Sequence, residues 1–462
     1  MRDLWAPCDR LEPSSVHLIG IGGAGMKALA EYLLDRGWNV SGSDADPEPG
    51  IREILTRRGV TLFIGHAAEH VPQRAEILIH SPAIPETNIE RQTAVGYGMP
   101  TASYVDVLGQ LTRGSTAIAI AGTHGKSSTT AMLGEVISSA GHSPTVLCGA
   151  ESLRRGTSGI AGSGPLMVVE ACEFRRHFLG LKPQVACLLG LEPDHFDCFP
   201  DLDSSIAAYS EFAQSVPQDG TLIYRGDCPA TVKAIENVVS RRVSFSLDSP
   251  DTDWQGVQIE RDGTGSRFRL RHGETLSREI RFPLPGKHNV LNAVAAAACA
   301  DTVGLTLEEI ASGLEKCSGL KRRLEFKRVW KNALIYDDYA HHPTEIRATL
   351  STIREMYPDR MVHAVFQSHQ VSRTQALLDD FAAALSLADR AYLLPIFAAR
   401  ENAGEEHVNV AQNLRQKVTV PTVWISTLDQ VWGTLQTDAT TPSVILTLGA
   451  GNLTRVHHDP TE

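Results

Sequence analysis

Residues 115–140 read STAIAIA, GTHGKS and STTAMLGEVISSA in succession. The first run is apolar and of strand length, the second is a glycine loop ending in Lys126-Ser127, and the third has helical character. The stretch therefore predicts strand, loop and helix in that order. The common phosphate loop is G-x-x-x-x-G-K-[ST]. Here Ile120 stands where its first glycine belongs and the leading glycine is Gly122, which makes the loop a shortened variant. Its physics survives the shortening. Backbone N–H groups over Gly122, Thr123, His124 and Gly125 and on into Ser128 can wrap phosphate oxygens, Lys126 can neutralise them, and Ser127 can offer a hydroxyl to Mg2+. A chance G-K-S in a surface loop is the competing reading, and the flanking strand and helix weigh against it.

Upstream the same theme recurs with other residues. Val16 to Gly20, Ala24 to Arg36 and Trp38 to Gly42 form a βαβ unit around Gly20-Ile21-Gly22-Gly23-Ala24-Gly25, a formal G-x-G-x-x-G, with Asp44 nineteen residues past Gly25. Such glycines let the backbone approach a pyrophosphate at a helix amino end, and the acid can accept from ribose hydroxyls. The motif alone does not separate NAD from other dinucleotide-like ligands, nor a site from a tight turn. Thr61 to Ile64 and Ile77 to His80 continue an α/β layout to about Arg113.

Downstream, Pro165 to Glu170 and Gln184 to Gly190 read as buried strands ending at charged residues. In a parallel sheet the ligand crevice lies at the carboxyl ends of the strands, which places Glu170, and His195 of Asp194-His195-Phe196-Asp197, beside the phosphate loop. Glu173 and Asp197 read as exposed loop residues. Between Asp219 and Phe282 the pattern suggests small antiparallel strands, and Val290 to Val303 a helix. A third start comes at Ala333 to Asp338, with a helix from Thr344, strands at Val362 to Phe366, Ala391 to Leu394 and Val444 to Leu448, and a helix from Thr374 to Leu387. Its opening strand ends in Asp337-Asp338-Tyr339-Ala340-His341-His342-Pro343, which lacks the spacing of a helical zinc site and is better read as nucleotide or substrate contact. The tail from His457 reads as loose. The expected fold is α/β in three domains: a Rossmann-like unit over 1–113, a P-loop ATPase-like unit over 114–320 and a second Rossmann-like unit over 321–462.

Composition agrees with a globular chain that buries sizeable cores, with 42% hydrophobic and 21% charged residues. A net charge of -11 argues against nucleic acid or an anionic membrane as the main partner. Met1 to Pro13 lacks the apolar core of a secretory signal, so a cytoplasmic location is expected. The eight cysteines, Cys8 among them, form no C-x-x-C pair and are expected to be mostly buried and reduced.

Together these residues resemble one family, the Mur ligases, and within it the branch that adds L-alanine to UDP-N-acetylmuramate. The matching pieces are HLIGIGGAGM at 17–26, SGSD at 41–44, GTHGKS at 122–127, DHFD at 194–197, PGKHNVLNA at 285–293, Arg322-Arg323, DDYAHHPTE at 337–345 and Gly449 to Gly451. Their order spans the chain. The resemblance implies ATP and Mg2+ as cofactors, UDP-N-acetylmuramate and L-alanine as substrates, an acyl-phosphate intermediate, and a monomer or homodimer.

The resemblance also distributes roles. The first glycine loop would hold the UDP sugar through Gly20, Gly22, Gly23, Ala24, Gly25, Met26, Ser43, Asp44 and Ser81. Lys126 and Ser127 would take phosphate and metal, Glu170 one Mg2+ and His195 a second. Asn292 would contact adenine, Arg323 phosphate and Asp338 ribose, with His341 and Arg373 facing the acceptor. No lysine occurs between Asp194 and Lys233, so no carbamoylated lysine is expected. Three stretches depart from the family pattern. Gln370 replaces an arginine in Phe366 to Thr374, Glu170-Ala171-Cys172-Glu173-Phe174-Arg175 replaces E-A-D-E-S-D, and an arginine-acid pair is absent around Ser103 to Asp106. The rival readings are a sister ligase attaching a tripeptide, a non-catalytic nucleotide-binding relative, and an NAD-linked oxidoreductase, which leaves the Lys126 loop unexplained.

Overall fold

The computed structural model describes residues 14–196, 198–263, 265–399, 401, 405–438 and 442–458. Asp197, Cys8 and the rest of residues 1–13, and 459–462 lie outside them. Three sheets follow one another along the chain. The first is parallel, in the order Thr61–Ile64, Asn39–Asp44, Ser15–Ile19, Ile77–His80, Thr101–Ser103. Strand order reverses at Ser15–Ile19, so the carboxyl end of that strand opens onto the crevice where α/β sheets bind ligands.

In the second sheet Thr116–Ala121 lies between Val185–Leu188 and Leu166–Glu170, parallel to both, and is again a reversal point. Its six residues are almost wholly buried, as the continuous apolar run requires of a strand covered on both faces. The expected antiparallel insertion is corrected in part. Thr221–Arg225 and Arg241–Ser246 extend the parallel sheet, and antiparallel pairing begins only beyond Trp254–Asp262. The alanine-rich helix Lys287–Asp301 packs on the helix Lys126–Ser139, because small side chains allow close approach.

The third sheet runs Glu325–Trp330, Ala333–Asp338, Ser443–Leu448, Met361–Phe366, Arg390–Leu393, Thr422–Trp424. Its first strand is an antiparallel edge that the sequence pattern did not reveal. The expected helix over Thr374 to Leu387 is two pieces, Val371–Ala376 and Leu378–Leu385, broken at Leu377. The start of the tail is not loose. Asn452–His458 forms a 3-10 helix, and His457 Nε2 lies 2.9 Å from Thr447 Oγ1.

One apolar core runs without a break from the first sheet into the second, taking in Val16, Met26, Ala117, Phe178 and Tyr209. The seam also carries a buried polar knot. Glu31 Oε2 accepts from the N–H groups of Ser158 and Gly159 at 2.7 and 2.8 Å, while Lys27 Nζ reaches Glu31 at 3.1 Å and Glu151 at 3.3 Å. The approach is so close that a Cβ on Gly159 would sit 1.8 Å from the Ala28 carbonyl oxygen. Among the described cysteines, Cys148, Cys187, Cys299 and Cys317 are buried as expected, but Cys172 is exposed and Cys198 and Cys228 are half-buried; none is in a disulfide.

Candidate active site

The phosphate loop leaves Ala121 with Gly122 at φ +135° and closes with Gly125 at φ +81°, backbone that other residues rarely adopt. A Cβ on Gly125 would lie 2.3 Å from Asn292 Oδ1, so the helix Lys287–Asp301 presses its amide directly on the loop. Lys126 opens the next helix and folds back: Nζ donates to the carbonyls of Gly122 (2.6 Å) and Thr123 (3.1 Å) and to Glu173 Oε1 (2.8 Å). Burial alone would lower the lysine's pKa, but the Glu173 carboxylate raises it. Glu173 in turn sits within 3.2 Å of His195 Nε2. Burial works against its ionisation, yet Lys126 and His195 hold it down to about 2.

The exposed-loop reading of Glu173 is therefore corrected. The residue is 2% exposed and joins Lys126 to His195, a pairing across forty-seven residues that no local pattern signals. Its Oε2 is buried without a hydrogen-bond partner. Glu170, at the end of its strand, accepts from the Gly149 N–H at 2.6 Å. Ser127 is buried at the first turn of the helix, and Ser128 lines a neighbouring cleft. An orphaned carboxylate oxygen, a second carboxylate, a hydroxyl and an imidazole converging on one glycine loop form a donor set that fits a hard cation held against phosphate.

The segment Glu192 to His195 ties this loop to the third sheet. Thr123 Oγ1 accepts from Glu192 N–H (2.9 Å), His342 Nε2 donates to the Pro193 carbonyl (3.2 Å), and Arg373 Nε donates to Asp194 Oδ1 (2.6 Å). His195 completes the series through Glu173. Arg373, placed on the acceptor side by resemblance, is 1% exposed and committed to Asp194; its guanidinium holds that carboxyl well below the usual range against burial. Gln370 is also buried, at φ +71°, with its N–H on the Phe397 carbonyl. His341 lies beside Glu345 (3.3 Å), and burial lowers it to about 4 although Glu345 pulls the other way.

His124 bridges two acids, with Nδ1 3.2 Å from Glu345 Oε1 and Nε2 3.4 Å from Glu192 Oε2. Burial would lower its pKa, but these carboxylates raise it to about 9. Arg323 lies in a cleft with Ser128, Asn289, Leu284 and Phe326, its guanidinium over the Tyr339 ring. Asn292 and Asp338, the two residues expected to contact adenosine, are both buried. The asparagine lining that cleft is Asn289, one helical turn before Asn292. Asp338 is 7% exposed, and its carboxylate accepts from the N–H groups of Leu324 (2.7 Å) and Ala340 (2.8 Å), so it shapes the backbone around Arg323.

At the first glycine loop, Asp44 Oδ2 accepts from Gly22 N–H at 2.9 Å, and Gly20 and Ile21 donate to the Ser43 carbonyl. The loop then enters the helix at Ala24 with Gly23 as cap, leaving the first-turn N–H groups to face the crevice. Ser81 Cβ packs under Gly20, and the Tyr104 ring crowds Gly25. Two of the residues expected at this contact are buried. Met26 is buried in the core, so only its backbone is on offer. Ser43 is fully buried, with its hydroxyl shared between Glu90 and His66, so it braces the loop from behind.

A glycine-loop nucleotide unit set between two further α/β units, with a lysine, acids and an imidazole at the sheet's reversal point, defines a nucleotide-dependent ligase of the three-domain type. The chain matches the Mur ligase family, catalytic domain over residues 15–116, the Mur ligase middle domain over 120–300 and the Mur ligase, glutamate ligase domain over 322–451, and it belongs to the Mur ligase family. It is 37% identical over 444 residues to a UDP-N-acetylmuramate--L-alanine ligase of Salinibacter ruber, covering 95% of this chain and 93% of that protein. It is 36% identical to the protein of the same name from Chlorobium phaeobacteroides, covering 96% of each. The fold resembles that of UDP-N-acetylmuramate-alanine ligase from Thermotoga maritima, with TM-score 0.80 and 24% identity over 96% of this chain and 97% of that one. No helix of the described residues is long and apolar enough to cross a membrane.

Proposed function

We propose that the protein joins L-alanine to the carboxylate of UDP-N-acetylmuramate at the expense of ATP. The observation that carries this is the Lys126 loop at the reversal point of the central sheet, with Glu170, Glu173 and His195 facing it, in a chain whose full-length relatives carry that name. A carboxylate is a poor electrophile because its charge repels an amine and its leaving group would be oxide. ATP supplies the remedy, phosphorylating that carboxylate to an acyl phosphate that the amine of L-alanine displaces, with ADP and phosphate as the other products.

The chain's own residues then have distinct tasks. Amides of the loop Gly122 to Ser127 cradle phosphate, and Lys126 leaves Glu173 to neutralise charge on the transferring group. Mg2+ would be held by Ser127, Glu170 and His195, with Glu173 joining from its unpartnered oxygen; bound there, it screens phosphate charge. The cleft of Arg323, Ser128 and Asn289 suits the adenosine side. The crevice at Gly20 to Gly25 suits the UDP sugar, with Asp44 holding the loop. Units over 1–113, 114–320 and 321–462 would carry sugar, nucleotide and acceptor respectively.

Phosphate release from ATP is the direct test. It should require UDP-N-acetylmuramate and L-alanine together, with L-alanine preferred across a panel of amino acids. Equal release with L-alanine omitted, or a response to a tripeptide alone, would overturn the assignment.

A further inference from the structure

We propose that His124, Glu192 and His342 form a site for a divalent transition ion of the zinc type, separate from the Mg2+ position assigned above. One donor atom from each of the three lies within 4.8 Å of the others. His124 Nε2 is 3.4 Å and His342 Nδ1 3.7 Å from the same oxygen, Glu192 Oε2. Tetrahedral zinc with bonds of about 2.0–2.1 Å holds its ligands about 3.4 Å apart. The three side chains already stand near that spacing.

Hydrogen positions strengthen the case. The Pro193 carbonyl can only accept, so His342 Nε2 at 3.2 Å carries the hydrogen and Nδ1 carries the lone pair; that lone pair accepts the Thr344 N–H at a long 3.3 Å, a bond an ion beside Glu192 would replace. His124 Nδ1 lies 3.2 Å from Glu345 Oε1 and donates there, so the buried Nε2 is the atom turned to Glu192. Glu345 is itself fixed by the N–H groups of His341 and His342. Each imidazole thus has an outer acceptor that sets its orientation, one a carbonyl and one a carboxylate, as histidine ligands of metals do. Two nitrogens and one carboxylate favour zinc or cobalt over the oxygen-seeking Mg2+, and three protein ligands leave a fourth position for water. Such an ion would cross-link the phosphate loop to the helix Pro343–Met356 through Glu192.

The test titrates Co2+ into chelator-stripped full-length protein in excess Mg2+ and follows visible absorption. One equivalent should bind with the intense spectrum of a four-coordinate site and be displaced by Zn2+. Glu192→Gln and His342→Asn, the latter keeping a side chain able to cap its helix, should each weaken Co2+ by about 10-fold or more. Zn2+ should raise the melting temperature of the wild type and of neither variant. Absence of Co2+ uptake by wild type, or equal affinity in both folded variants, overturns the site and leaves an ion-pair network only.

Discussion

Lys126 rests inside its own loop, held by two carbonyls and Glu173, so removing it has two separable effects. Lys126→Ala should cut turnover by about 10³-fold or more, since the neutralising charge at the γ-phosphate is gone. Calorimetry should show UDP-N-acetylmuramate bound as before, because that loop belongs to another sheet. The same change leaves the buried Glu173 carboxylate with His195 alone beside it, which should lower unfolding stability by roughly 3 kcal/mol in denaturant titrations. Lys126→Met combined with Glu173→Gln should recover most of that stability and none of the turnover. His124 offers a pH test. Its folded value, about 9, lies above the ordinary 6.5, so the stability it contributes is complete below about pH 6.5 and disappears as pH rises through 9. The melting temperature of metal-free wild type should therefore fall over that window more than that of His124→Gln.

Loops and helices obey the same accounting of contacts. Gly125→Ala places a methyl 2.3 Å from Asn292 Oδ1 at φ +81°, so it should cost about 1–3 kcal/mol and abolish nucleotide binding measured by calorimetry. Thr306→Ala removes a capping box from the helix Leu307–Leu314; it should cost about 1 kcal/mol and leave phosphate release unchanged. The parallel strands of both reversal points were legible because burial on two faces writes them as apolar runs. Thr221–Arg225 and Arg241–Ser246 were not, since they mix apolar with polar residues in the manner of half-covered strands. The break at Leu377 has no glycine or proline to announce it. Among site residues, Lys126, Glu170 and His195 stood out by motif and strand-end position. Glu173 did not, because its partners are assembled only by the sheet. The hydrogen bonds that Asp338 and Ser43 make within the chain were not legible either, because residue type and position are visible in sequence and partners are not.

The three sheets are joined by polar knots as well as apolar packing. Glu31 is fully buried at the seam of the first two, so Glu31→Ala should destabilise the protein by roughly 3–5 kcal/mol, and scanning calorimetry should show one melting transition resolving into two. Four consecutive residues, Glu192 to His195, bind the second unit to itself and to the third sheet, alongside contacts such as His124 to Glu345. Each is engaged with a different stretch of chain: Thr123, His342, Arg373 and Glu173. That tetrapeptide has no slack. Losing or gaining one residue there would put all four partnerships out of step at once, whereas a conservative exchange disturbs a single one. Its length is therefore less free to drift than its composition.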